Sequence, residues 1–135
     1  MSGRVIVHSL EHARMAMAAA ASLGTEVTLL SAPGAGIYAG PLWFKAVVEE
    51  AAAAHPGVPV TAVLDCGDAP GTVLAALRAG FRHVVFTGPD ETRTRLAEIA
   101  AQSGAAIETR MEGALDLLGR YDGAAACRAF LAGTG

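Results

Sequence analysis

Short apolar runs alternate with longer stretches that repeat their apolar positions at helical spacing, and glycine or proline punctuates nearly every change. Arg4–His8 reads as a first strand, followed by a helix over Leu10–Leu23 with Ser9 as its N-cap and Gly24 as its stop. Glu26–Leu30 is a second strand, rich in Val, Thr and Leu. A Gly/Pro loop over Ser31–Gly40 leads into a helix over Pro41–His55, which Pro56-Gly57 ends. Val60–Leu64 is a third strand and Asp68–Ala79 the next helix, with Asp68 or Thr72 as candidate caps. His83–Phe86, Glu91–Ser103 and Ala106–Thr109 then read as strand, helix and a weaker fifth strand. Two short helical stretches, near Ala114–Leu118 and Ala124–Leu131, complete the pattern.

Strands that are apolar throughout, joined by helices, predict a parallel sheet with right-handed crossovers. The expected fold is therefore α/β, with about five βα units in a single domain over residues 1–135. Residues from about 114 onward would form a helical C-terminal extension.

Composition narrows the function classes. At 135 residues with 53% hydrophobic and 17% charged side chains, the chain can bury a core and does not read as disordered. A formal charge of −3 gives no pull toward nucleic acid or an anionic membrane, so neither is expected as a partner. The opening run Val5-Ile6-Val7 is too short for a signal core or a span. Cys66 and Cys127 lack CxxC spacing and are expected as free thiols in a cytoplasmic protein.

Three stretches carry a family resemblance. Ser9-Leu10-Glu11-His12-Ala13 resembles an Asn-Leu-Glu-Gln segment, and Ser31-Ala32-Pro33-Gly34-Ala35-Gly36-Ile37-Tyr38-Ala39-Gly40 resembles a Ser-Pro-Gly-Ala-Arg-Lys-Tyr-Ala-Gly loop. Val58–Gly67 resembles an Ile-Pro-Val-Ala-Leu-His-Leu-Asp-His-Gly strand, followed by Ala76–Phe81, similar to Ala-Ile-Arg-Ala-Gly-Phe. In this order and register, from about residue 4 to residue 110, they resemble the class II fructose/tagatose-bisphosphate aldolases. The resemblance implies strands one to five of a (β/α)8 barrel, a fold of ~250 residues when whole.

It also implies a lost metal site. In that family a divalent metal, usually zinc, polarises the ketose carbonyl, and histidines supply most of its ligands. The histidine after the strand's Asp falls at Cys66, and the one two residues before it at Val63. A fifth-strand glutamate falls at Arg110, a second-strand Gln at Leu30 and the loop Ser at Ala32, while an Asp-Gly-Ser reads Thr87-Gly88-Pro89. Asp65 alone is retained, matching the family's acid/base Asp. No metal or other cofactor is expected, and retro-aldol cleavage by the family mechanism is not.

Ligands of parallel α/β sheets bind beyond the carboxyl ends of the strands. The candidates there are His8, Asp65 and Cys66 as catalytic groups, and Ser31, Gly34, Asp68 and Thr87 as ligand-binding ones. The competing assignment is structural: Asp65 and Asp68 as caps, His8 on loop amides, Cys66 as a small buried residue. Pro33-Gly34-Ala35-Gly36 could offer amides to a phosphate, but it fits neither GxGxxG nor the P-loop. Trp43-Phe44 beside Tyr38 is an aromatic cluster in a chain with 5% aromatics, suited to the core or to a partner.

A half barrel leaves strand edges open. Two architectures satisfy that constraint: a half-(β/α)8-barrel-like sheet paired with a second copy, or an open flavodoxin-like three-layer sandwich, the favoured form. Two function classes follow. One is a non-catalytic ligand-binding or self-associating module, expected as a homodimer with a small-molecule ligand. The other is a small metal-independent lyase or isomerase using His8, Asp65 and Cys66.

Overall fold

The computed structural model describes residues 3–109 and 112–133. Its elements follow the alternation of the sequence. They are β1 (Gly3–Val7), α1 (Leu10–Leu23), β2 (Val27–Ser31), α2 (Ala35–Tyr38), α3 (Pro41–Ala53), β3 (Val60–Asp65), α4 (Pro70–Arg78), β4 (His83–Val85), α5 (Asp90–Ala101), β5 (Ala106–Glu108), β6 (Leu115–Asp116) and α6 (Gly123–Gly133).

The strands lie in the order β5-β4-β3-β2-β1-β6. The first five therefore keep their chain order. That is the order of a (β/α)8 barrel and not the 2-1-3-4-5 order of a flavodoxin-like sheet. Of the two expected architectures, the strand order is that of the half barrel.

Contacts divide the chain into two compact units. One is drawn from the described residues of Met1–Leu30, Ala46–Thr61 and Gly113–Gly135, the other from Ser31–Lys45 and Ala62–Glu112.

In the first unit, Ser9 caps α1 as expected, its side chain accepting from the His12 amide, and Gly24 ends the helix at φ 65°. Ala13, Ala16, Met17 and Ala20 recur at helical spacing and are buried. α6 packs against α1. Gly123 lies close to α1 there: a Cβ on it would stand 2.7 Å from Met15 Sδ, so that side chain would have to shift. Residues 115–116 form a strand and not the helix expected near Ala114–Leu118. β6 pairs parallel to β1, with Val5 opposite Leu115 and Ile6 opposite Asp116. Leu115 is buried in that pairing, so a tertiary contact overrides a weak local preference.

In the second unit, β3, β4 and β5 pair in parallel register, with Asp65 opposite Val85 and Val85 opposite Glu108. α4 and α5, the helices that connect β3 to β4 and β4 to β5, pack together. Phe44 and Phe81 stack at 6.2 Å between centroids and are buried. The start of α4 differs from expectation. Its N-cap is Ala69 with no side-chain cap, and Pro70 opens the helix, so neither Asp68 nor Thr72 caps it. Within the Ser31–Gly40 loop, Ala35–Tyr38 forms a one-turn helix.

Candidate functional site

Asp65 ends β3 and is half-buried. One carboxylate oxygen, Oδ1, accepts the Gly34 amide at 3.1 Å and the Gly67 amide at 2.9 Å. Both glycines stand at positive φ, 72° and 54°, where their amides can converge on one oxygen without a Cβ in a strained backbone. The carboxylate thus ties the loop after β2 to the turn after β3, a different task from capping α4.

The neighbouring candidates belong to the same network. Buried Ser31 accepts the Asp65 amide on Oγ at 2.9 Å and donates to the Ala32 carbonyl at 3.4 Å. The Thr87 amide donates to the Gly67 carbonyl at 2.8 Å, while the Thr87 side chain stays exposed. Ser31, Gly34, Asp65 and Thr87 are therefore brought together through backbone groups. Asp68 is exposed and has no capping role on α4.

Cys66 lies beneath this layer. It is fully buried, its amide donates to the Val85 carbonyl at 2.9 Å, and its Sγ lies 3.8 Å from the Leu64 carbonyl. Burial, with the Asp65 charge adding to it, pushes the thiol up to about 12. A buried thiol held protonated is a weak nucleophile in this conformation.

His8 finds its partner elsewhere. At the end of β1, its Nε2 lies 2.7 Å from Asp116 Oδ1, on the neighbouring β6. A carboxylate offers only acceptor sites, so the Nε2–H of His8 donates to it. Asp116 Oδ1 also accepts the Leu118 amide at 2.9 Å. Burial raises the Asp116 pKa, but the Leu118 amide, the His8 bond and the His8 and His12 charges outweigh it and hold the carboxyl below its ordinary range.

His12 Nδ1 accepts the His8 amide at 3.1 Å, so that nitrogen is unprotonated. Burial and the His8 charge lower its pKa, against Glu11 and Asp116. Sequence reasoning missed Asp116, because nothing local to Leu115–Asp116 marks a strand end. Gly36 sits where a Cβ would come within 3.0 Å of the Asp65 carbonyl and of Thr72 Cγ2.

The residues do not fit the metal that the resemblance implies. The two positions matched to histidines, Val63 and Cys66, are buried, the first with no donor atom and the second with its Sγ 3.8 Å from the Leu64 carbonyl. Among the described residues, no three His, Cys, Asp or Glu side chains group so as to hold a metal ion. Arg110, matched to the family glutamate, lies outside the described residues. A shallow cleft near Glu26 and His55 opens at the amino-terminal ends of β2 and β3, away from the rim where ligands of such sheets bind. Among the described residues, no helix is long and apolar enough to cross a membrane.

The geometry can be set beside known proteins. Residues 2–111 match the family described as fructose-bisphosphate aldolase class-II. A plasmid-encoded fructose-bisphosphate aldolase of Cupriavidus necator is 34% identical over 82 residues, 61% of this chain and 24% of that protein. The fructose-bisphosphate aldolase of Xanthobacter flavus is 30% identical over 82 residues, 61% of this chain and 23% of its own length. A solved structure assigned as a fructose-1,6-bisphosphate aldolase from Coccidioides immitis superposes with a TM-score of 0.62 at 26% identity, covering 83% of this chain and 42% of that one. The matches thus span less than half of each relative. With a family match over most of its residues, the chain belongs to the class-II fructose-bisphosphate aldolase family.

Proposed function

We propose that this chain is a non-catalytic module on an aldolase scaffold, which associates with a second copy of itself and binds a small molecule at the strand-end rim. The observation that carries the reading is the state of Asp65. The one retained acid/base residue spends an oxygen on the Gly34 and Gly67 amides, between a buried Val63 and a buried Cys66. Aldol cleavage needs a polarised carbonyl as well as a base. A carboxylate committed to two loop amides supplies neither the metal nor a free proton acceptor on that oxygen. Cys66 and Cys127 are both free thiols, which suits a reducing, cytoplasmic setting.

The test is cleavage of fructose 1,6-bisphosphate with and without added Zn2+, followed by coupled detection of triose phosphate. The expected rate is that of the protein-free blank, unchanged in Asp65→Asn. Metal-dependent turnover that Asp65→Asn abolishes would overturn the reading.

A second reading, a metal-independent lyase or isomerase, is favoured by the His8–Asp116 contact, which orients an imidazole as proton-transfer groups require. Under this reading, metal-free turnover of a sugar phosphate falls at least ~100-fold in His8→Gln; equal rates in the two proteins would remove it.

A further inference from the structure

We propose that His8, His12 and Asp116 form an acid-sensitive latch, which ties His8 to α1 through His12 and to β6 through Asp116. Protonation of His12 releases the α1 side and leaves the β6 side closed. The inference goes beyond the reading above and needs neither a ligand nor a second copy.

The latch sits at a short connection. His8 and Ser9 are the two residues between β1 and α1. Two hydrogen bonds fix His8 there. Its backbone N–H donates to His12 Nδ1 at 3.1 Å, and its ring Nε2–H donates to Asp116 Oδ1 at 2.7 Å. The two rings meet edge to face, with 5.7 Å between centroids.

Acid acts differently on the two bonds. A neutral imidazole has one donor nitrogen and one acceptor, whereas an imidazolium has two donors. The His8 ring works through a donor nitrogen, so protonating it leaves the bond to Asp116 in place. His12 works through an acceptor nitrogen. A proton on its Nδ1 removes the acceptor and turns two N–H groups toward each other.

The surrounding charges do not offset that loss. Burial and His8 disfavour the charged His12 ring and outweigh Glu11 and Asp116, which favour it. Asp116 Oδ1 already serves the His8 ring and the Leu118 amide, and two imidazolium rings this close repel. On α3, Glu50 pairs with Arg14 instead, and α6, which also packs on α1, brings no charge that shifts His12. The latch is therefore closed above the ordinary histidine value of 6.5 and opens as pH falls through the lower folded one.

The neighbouring structure stays put. Ser9 Oγ accepts the His12 amide at 3.1 Å and the Ser9 carbonyl accepts the Ala13 amide at 3.1 Å, so the ring can leave while α1 keeps its cap. What opens is the His8 amide at the carboxyl end of β1, the side on which such sheets bind ligands.

The experiment is a 1H–15N NMR titration of wild type and His12→Asn from about pH 8 to about pH 5. Asparagine offers a side-chain oxygen in place of Nδ1 and does not titrate in this range. At the upper end, the His12 ring nitrogens are expected to show the tautomer with its proton on Nε2. As His12 titrates, the His8 amide is expected to shift with the same midpoint and to lose about 5- to 10-fold in protection from hydrogen exchange, the equivalent of one hydrogen bond. The Leu118 amide, held by Asp116, is expected to keep its protection, and in His12→Asn the His8 amide keeps its own.

A His8 amide that ignores the His12 midpoint overturns the latch, as does a His12 midpoint at or above 6.5. The Nδ1-protonated tautomer at the upper end overturns it as well. A response that persists in His12→Asn assigns the switch to another group, and loss of Leu118 protection shows both sides opening; either result also overturns it. The wild-type titration alone decides if His12→Asn fails to fold.

Discussion

Replacing Asp65 with alanine separates a structural carboxylate from one kept for chemistry. Alanine removes the acceptor for two amides, those of Gly34 and Gly67, held at 3.1 and 2.9 Å. A hydrogen bond to a charged group nets about 1.5–3 kcal/mol when buried, and the half-exposure of Asp65 puts each bond near the lower bound. The expected loss is about 2–3 kcal/mol. For a domain of this size it corresponds to a fall in Tm of about 6–9 °C. Asp65→Asn keeps a side-chain oxygen for both amides and forfeits only the charge assistance, so its loss is about 1 kcal/mol. Urea denaturation of the three proteins, read by far-UV circular dichroism, gives the ranking directly. If Asp65→Ala is as stable as wild type or more so, the carboxylate is not holding the two loops and the argument fails.

Other consequences follow from the same geometry. Gly36→Ala places a Cβ 3.0 Å from the Asp65 carbonyl and from Thr72 Cγ2, and is expected to cost about 1–3 kcal/mol, partly restored by Thr72→Ser; a neutral Gly36→Ala melt would show that the loop yields freely. Cys66, with its thiol pushed up to about 12, should stay unlabelled by a thiol reagent in native protein at pH 8 and react after unfolding; fast native labelling would mean the site opens. The His12 pKa is lowered in the folded state, so the unfolded chain binds more protons as pH falls through the ordinary histidine value of 6.5. Its contribution is fully present above 6.5 and is lost as pH falls through the folded pKa. Urea midpoints of wild type should drop over that window more than those of His12→Gln, and parallel curves would contradict this.

The sequence made most elements legible because the signals were local. Ser9 and Gly24 bracket α1 where capping and positive φ put them. What failed to show was set by partners distant in the chain. Leu115–Asp116 has no strand signal of its own and becomes β6 only by pairing with Val5 and Ile6. The strand order that favours the half-barrel form is a property of crossovers, which residue patterns do not encode. At the rim, Ser31, Gly34, Asp65 and Thr87 share one hydrogen-bond network. Their roles were not legible, because an aspartate at a strand end looks the same whether its oxygen meets a substrate or a glycine amide. Likewise, His8 gave no sign that its carboxylate would be Asp116.

The account stands most directly on the claim that Asp65 serves the fold and not a metal-assisted reaction. The Gly34 and Gly67 amides report on it, since both end on the same carboxylate oxygen. The measurement is a 1H–15N NMR titration with Zn2+ and then fructose 1,6-bisphosphate, following those two amides. The account predicts that both resonances stay in place while the sugar phosphate and metal are added together. Saturable movement of both, lost in Asp65→Asn, would show the carboxylate leaving the loops for a metal or a substrate and would contradict it.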